Sequence, residues 1–228
     1  MIAFAVMGKA DTTRSPGLGN TSMAHIDVGA ATFNPSEYLA AERLQARRFA
    51  ALFADACERG DTAAFYAALD SSGSNPDSWR LAMARVARLD CVSTAIRRAF
   101  GGIWVESKML PLRVGNRRVL ANALRVLMPC DYRGKQLKLF RGTNTLERKR
   151  RLYGFSWTTD YRTARTFAGG PLKVDGASVV LESVVPAHAI LWKRKKERNH
   201  YDEGEVIVDP FGLKTVRVAE RLVWPALR

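Results

Sequence analysis

From Asn34 onward, apolar residues recur at helical spacing. Phe49, Leu52, Phe53 and Ala56 fall at i, i+3, i+4 and i+7, which is one stripe along a helix. Asn34-Pro35-Ser36-Glu37 gives that helix a start: a capping residue, a proline at the first helical position and an acid in the first turn. Gly60 stops it, so the spacing predicts a helix to about Glu58, followed by a shorter one capped by Asp61 and ending near Leu69. The start signal returns at Asn75-Pro76-Asp77, and Trp79, Ala82, Met83 and Val86 repeat the stripe. A further helix is expected over Cys91–Phe100, ended by Gly101-Gly102. Another spans Val114–Met128, where Val119, Leu120, Ala123, Leu124 and Leu127 share a face and Pro129 stops the run. The stripes read as mutual packing of helices rather than as a ligand site.

After Pro129 the period shifts towards two. Lys138–Arg141 reads as a short strand, Ala177–Val185 and Glu205–Val208 as buried strands, and Thr215–Val218 as alternating polar and apolar. Asp160–Ala168 reads as a short capped helix. The pattern therefore predicts an α+β chain with a loosely ordered lead-in over 1–33, an all-helical domain over 34–130 and a separate β-rich domain over 131–228.

Composition narrows the classes. The chain has 228 residues, of which 47% are hydrophobic, too many for wholesale disorder. No run approaches the roughly 18 apolar residues of a membrane span. Met1–Gly8 is apolar but short and has no basic flank before it, a poor match to a signal peptide. Cys57, Cys91 and Cys130 are odd in number and widely spaced, which suits a reducing compartment and points to a cytoplasmic protein. Thirty-six Lys and Arg against 22 Asp and Glu leave a net charge of +14, which favours polyanionic partners. Two basic clusters, Arg148–Arg151 and Lys193–Lys196, read as solvated loops able to attract such a partner.

The helical half offers no HExxH, GxxxxGK[ST] or GxSxG, and no zinc-ligand spacing. His25, His188 and His200 are scattered, so no metal is expected. The C-terminal half carries three features in order: a strand ending Arg141-Gly142-Thr143, a strand Phe155-Ser156-Trp157-Thr158-Thr159 before a helix, and Glu203-Gly204-Glu205 running into Val206-Ile207-Val208. Residues two apart in a strand share a face, so Glu203 and Glu205 are expected in one cleft. Like charges held together are costly, which is a reason to look for a function, but the pair taken alone fits better with Glu203 in a solvated turn and Glu205 capping an edge strand.

This trio resembles the R-S-E class of the ADP-ribosyltransferase superfamily, which includes mono-ADP-ribosyltransferases and bacterial and phage-type toxins. The resemblance covers about residues 136–220 and not the helical half. Trp157 stands where the class has Thr, and the interval from Arg141 to Ser156 is short, with a basic turn in place of a helix. The resemblance implies a split β-sandwich, NAD as co-substrate without a metal, and transfer of ADP-ribose to a macromolecular acceptor by a cytoplasmic toxin or effector. Delivery would put it in a host cytoplasm.

It implies that Glu205 stabilises the oxocarbenium-like ribose, that Ser156 holds Glu205, and that Arg141 binds the NAD diphosphate or adjoining ribose. Gly142 would let the backbone approach the nicotinamide, with Thr143 and Thr158 supporting the same cofactor-binding strands. Glu203 would activate the acceptor, with protein arginine favoured over nucleic acid, and Tyr201 and His200 would contact it. Arg162 and Arg165 read as surface arginines within reach of the phosphates. A neutralising partner suits a toxin. Two alternatives carry different chemistry: an NAD glycohydrolase, in which water is the acceptor, and a non-enzymatic basic module that binds nucleic acid.

Overall fold

The computed structural model describes residues 34–71, 75–107, 109–128, 132–170, 177–193 and 204–223. The lead-in expected over 1–33 lies outside them. Six helices come first: α1 Pro35–Arg59, α2 Thr62–Asp70, α3 Pro76–Val86, α4 Thr94–Glu106, α5 Leu110–Val114 and α6 Arg117–Leu127. Side chains from the preceding residues cap four of them. Asp61 accepts from the Ala64 amide, Asn75 from Asp77, Ser93 from Ile96 and Asn116 from Val119. The stripes meet in one core, where Phe49, Phe53, Phe65 and Trp79 pack at ring-centroid distances of 5.0–5.7 Å.

Three helical expectations need correction. Leu52 is 44% exposed, and α1 buries Ala46, Ala50 and Cys57 alongside its phenylalanines. Gly101-Gly102 does not end α4. Ile96, Phe100 and Trp104, at four-residue intervals, are all buried and carry the helix through the glycines. The helix expected over Val114–Met128 starts later, at Arg117, because Gly115 takes a left-handed conformation (φ +63°) that closes α5 at Val114 and Asn116 caps α6.

The rest of the chain gives β1 Leu137–Asn144, α7 Thr145–Arg150, β2 Ser156–Thr158, α8 Tyr161–Gly169, β3 Ala177–Val185, β4 Ile190–Lys193, β5 Glu205–Val208 and β6 Val216–Val223. The strands form one antiparallel sheet in the order β4-β5-β2-β1-β3-β6. β3 and β5 match the expected bounds, β6 is longer, and β4 and α7 were not anticipated. α7 turns Arg148-Lys149-Arg150 from an expected loop into a helical turn, which Arg151 closes at φ +53°.

Pro35–Arg228 is one compact unit, so the change from helix to strand near residue 130 does not separate two independent domains. Phe155, Leu191 and Ile207 from the sheet region belong to the helical core, and Trp104 meets Phe155 edge to face at 6.2 Å. α6 adds polar ties. The Arg118 guanidinium lies 3.6 Å from the Phe211 ring centroid, and Arg125 pairs with the buried Asp209. The other cores flank the sheet. Leu139, Trp157, Leu181 and Val206 join one, while Val180, Ala164 and Ala168 join another beneath α8.

Candidate functional site

The sheet order makes β1, β2 and β5 neighbours, which brings the three sequence motifs onto adjacent strands. β2 pairs with β5 along its whole length: Ser156 with Ile207, Trp157 with Val206, and Thr158 with Glu205. β1 pairs with β2 only at Phe140 and Thr158. Beyond that point the ladder stops, and a side chain takes over. Arg141 Nη1 donates to the Ser156 carbonyl at 2.8 Å, satisfying an acceptor the ladder leaves open.

Arg141 faces Leu181 across β1 and β3, so it leaves the strand on the side of the Leu139, Trp157 and Leu181 core. Its guanidinium then reaches the gap, packing against Gly154 so closely that a Cβ there would collide with it. Arg141 Nη2 bonds both Glu147 carboxylate oxygens, at 3.1 and 3.4 Å. The pair is well shielded, with side chains 20% and 16% exposed. The fork that the resemblance assigns to the NAD diphosphate or adjoining ribose is engaged here by Glu147 and the Ser156 carbonyl.

Gly142 has a different neighbour from the one expected. A Cβ there would strike the Ala164 carbonyl and the Ala168 amide, so this glycine lets the α8 backbone lie directly on β1. Its α-carbon is closed off by the helix rather than open to a nicotinamide. Thr143 is buried opposite Val179, inside the sheet. Thr158 is also buried, and its hydroxyl accepts from the Asp160 amide at 2.9 Å, which helps launch α8.

The register places Thr158, not Ser156, directly opposite Glu205. Ser156 is the diagonal neighbour, about 7–8 Å away by sheet geometry. Both alternate with residues of the Trp157 and Val206 core, so Ser156 and Glu205 share the sheet face that carries α8. The Ser156 hydroxyl makes no hydrogen bond among the described residues. Glu205 is half-buried and, among the described residues, has neither a hydrogen-bond nor an ion-pair partner.

Gly204 sits at φ +59°, with its α-carbon against the Thr159 hydroxyl and its carbonyl accepting from the Thr159 amide at 3.1 Å. This left-handed residue precedes the first strand residue, Glu205. Glu203, Tyr201 and His200 lie outside the described residues, as does Lys193–Lys196 beyond Lys193 itself.

Two clefts are lined elsewhere. One of about 480 Å³ is bordered by Arg125, Tyr132, Arg133 and His188, and another of about 570 Å³ by Arg162, Arg165, Thr166 and Leu222. Arg165 is engaged with Glu220 at 3.1 Å, on a carboxylate that Tyr161 also reaches at 2.6 Å. The described residues hold no group of three His, Cys, Asp or Glu arranged for a metal, and no helix long and apolar enough to cross a membrane. Burial pushes the Cys57 thiol up to about 12, so it stays protonated and unreactive.

Sequence reasoning missed the groups around Arg141. Glu147 carried a readable signal, since Asn144 and Glu147 stand at capping-box spacing, and Asn144 accepts from the Glu147 amide at 2.8 Å. Arg117 carried none. It lies 36 residues before Tyr153, whose carbonyl it bonds. Arg148 reaches the Tyr153 hydroxyl at 3.4 Å. No family model matches the chain, nor does any curated protein or solved structure.

Proposed function

We propose that the chain is an NAD-dependent mono-ADP-ribosyltransferase that breaks the nicotinamide–ribose bond and passes ADP-ribose to a macromolecular acceptor, with protein arginine favoured. One observation carries the reading. In a chain of net charge +14, Glu205 is a half-buried carboxylate that no described cation neutralises, at the start of a strand beside Ser156 and Thr158. A carboxylate without a partner among the described residues at such a place suits positive charge that develops only during reaction, as on a ribose losing its leaving group. A six-stranded sheet nearly parted between β1 and β2 supports the split-sandwich form that the motifs imply.

Glu205 stabilises the ribose cation. Thr158 fixes the β2 backbone opposite it, and Ser156, whose hydroxyl has no partner among the described residues, lies on the same face. Arg141 supplies positive charge at the gap, and Glu203 orients the acceptor, with Tyr201 and His200 contacting it. The chain acts in a cytoplasm, its own or that of a cell it enters, as a toxin or effector that a neutralising partner would hold in check.

The test is nicotinamide release and mass-spectrometric detection of added ADP-ribose after incubation of the chain with NAD and cell lysate. Glu205→Gln should cut turnover about 10²–10³-fold while leaving the melting temperature in place. Nicotinamide release without a labelled acceptor would favour the glycohydrolase. Absence of both, with salt-sensitive nucleic-acid binding intact, would favour the non-enzymatic module and overturn the proposal.

A further inference from the structure

β6 is an outermost strand of the sheet, eight residues long, and among the described residues only β3 pairs with it. In an antiparallel ladder alternate residues turn their backbone groups towards the neighbour, so about half of the β6 N–H and C=O groups face outwards. None of them bonds any other described element. An open edge of this length is a template for another strand, and the charges along it decide which strand can approach. Arg217 and Arg221 are exposed and make no ion pair among the described residues. The nearby carboxylates are already taken. Glu220 is held by Tyr161 and Arg165, and Glu182, which faces Arg217 across the ladder, is held by Lys138.

The register of β6 sends these charges to both faces of the sheet. Glu220 meets Val180 while Val218 meets Leu181, so Ala219 is an extra residue, a bulge. Before it, Val216 and Val218 pack on the Leu139 and Leu181 core, which leaves Arg217 on the α8 face. After it, Leu222 packs beneath α8, and Arg221 lies opposite Val179 on the other face. Leu222 also borders the cleft of about 570 Å³ that Arg162 lines. The open edge thus has a cleft on one side and free cations on both.

We propose that the outer edge of β6 binds an extended acidic segment of a partner protein, which adds to the sheet as a further strand. Main-chain hydrogen bonds supply the attachment, and side chains at alternate positions supply the choice. Acidic side chains on the α8 face meet Arg217 and, at the cleft, Arg162; those on the other face meet Arg221. A second copy is disfavoured on the same grounds, because pairing β6 with β6 lays the arginines of both copies along one ladder, between molecules that each carry +14. The inference is independent of the transferase reading, since it uses no residue of the Glu205 site.

Two peptides with the same side chains test it: one of alternating glutamate and valine, capped at both ends, and the same peptide with every amide N-methylated, which cannot donate to a ladder. Each is titrated to millimolar concentration into the isotope-labelled full chain and followed by NMR. The first should shift the amide resonances of Val216–Val223 and slow the exchange of those facing away from β3. The methylated form should bind at least about tenfold more weakly. Arg217→Glu and Arg221→Glu should each weaken the first peptide about tenfold, whereas Arg43→Glu, the same charge change on exposed α1 surface, should leave it within about twofold. Should a reversal unfold the chain, Arg221→Gln must still weaken binding several-fold. Equal affinity for the two peptides overturns the inference, as does indifference to Arg221→Glu or the absence of β6 shifts at millimolar peptide. Oligothymidylate producing the same shifts with the same arginine dependence would assign the surface to nucleic acid. Shifts of β6 that grow with protein concentration alone would assign it to a second copy. Either result overturns the acidic strand.

Discussion

Along one edge, β1 pairs with β3 at every residue from Leu137 to Asn144, whereas along the other it meets β2 at Phe140 and Thr158 alone. The β3 side is continuous ladder under a helix that Gly142 allows to touch the strand. The β2 side is held by one residue pair and one side chain, Arg141, which is in turn held by Glu147. Ladder hydrogen bonds between strands need no charge and leave no room. A guanidinium bridging a gap needs a counter-ion and can exchange it. Scaffold and site are thus the two edges of a single strand, and substitutions on each should behave differently.

The firmest edge should give the largest effect. Gly142→Val places a branched side chain against the Ala164 carbonyl and the Ala168 amide, both backbone atoms that cannot rotate aside. Overpacking of this kind costs about 3 kcal/mol or more, because α8 must lift from β1. Urea unfolding should show a large loss of stability or no folded protein. A well-folded Gly142→Val variant would mean that α8 is not seated on β1 as described.

On the looser edge, Arg141→Leu removes the bridge and strands Glu147, whose side chain is only 16% exposed. Leaving one partner of a shielded pair should cost about 2–3 kcal/mol, below the fully buried case because some solvent reaches the site. Arg141→Leu combined with Glu147→Leu should recover much of that loss, since no charge is then left unpaired. Equal destabilisation by single and double variants would show that the bridge to the Ser156 carbonyl, rather than the charge pair, holds the edge.

The same contrast separates what the sequence could reveal from what it could not. The bounds of β3 and β5 are legible because ASVVLESVV and EVIV are apolar runs that only buried strands accommodate. α3 is legible because its asparagine cap, proline and stripe agree. Gly101-Gly102 misleads because local propensity is overridden by Phe100 and Trp104 packing into the helical core. At the site, the order of motifs foretells adjacent strands, but not the direction of side chains. The call on Glu203 lies outside the described residues, and the place allotted to a nicotinamide at Gly142 is filled by α8. The arginine cluster is least legible, because Arg117 reaches Tyr153 only through the tertiary fold.

A smaller effect is expected where Asn144 turns β1 into α7. Asn144→Ala removes the side-chain acceptor of the Glu147 amide and should cost about 1 kcal/mol, typical of a lost cap. The cap also sets the direction of Glu147, so the Arg141 guanidinium should rotate more freely. Its Nε–Hε resonance should broaden in this variant while signals from β3 stay sharp. A change spread evenly over both edges of β1 would erase the distinction drawn between them.

The smallest effect lies on the firm side, where Tyr161 of α8 donates to Glu220 of β6 at 2.6 Å and Arg165 joins at 3.1 Å. The Tyr161 hydroxyl, and then Arg165, hold the Glu220 carboxyl below its usual range, against a smaller opposing effect of desolvation. A carboxylate with a lowered folded-state pKa stabilises the fold above its unfolded value, about 4.3, and loses that contribution as pH falls through the folded value. The Tyr161 phenol is raised, chiefly by the same hydrogen bond, so its share is present below about 10 and is lost as pH rises through its folded value. Melting temperatures should therefore decline at both extremes, and Tyr161→Phe should flatten both limbs, whereas Glu220→Gln should flatten the acid limb above all. Asp160, held low by the Thr163 hydroxyl, keeps part of the acid limb in either variant. An acid limb untouched by both substitutions would remove Glu220 from the pH dependence and leave Asp160 to carry it.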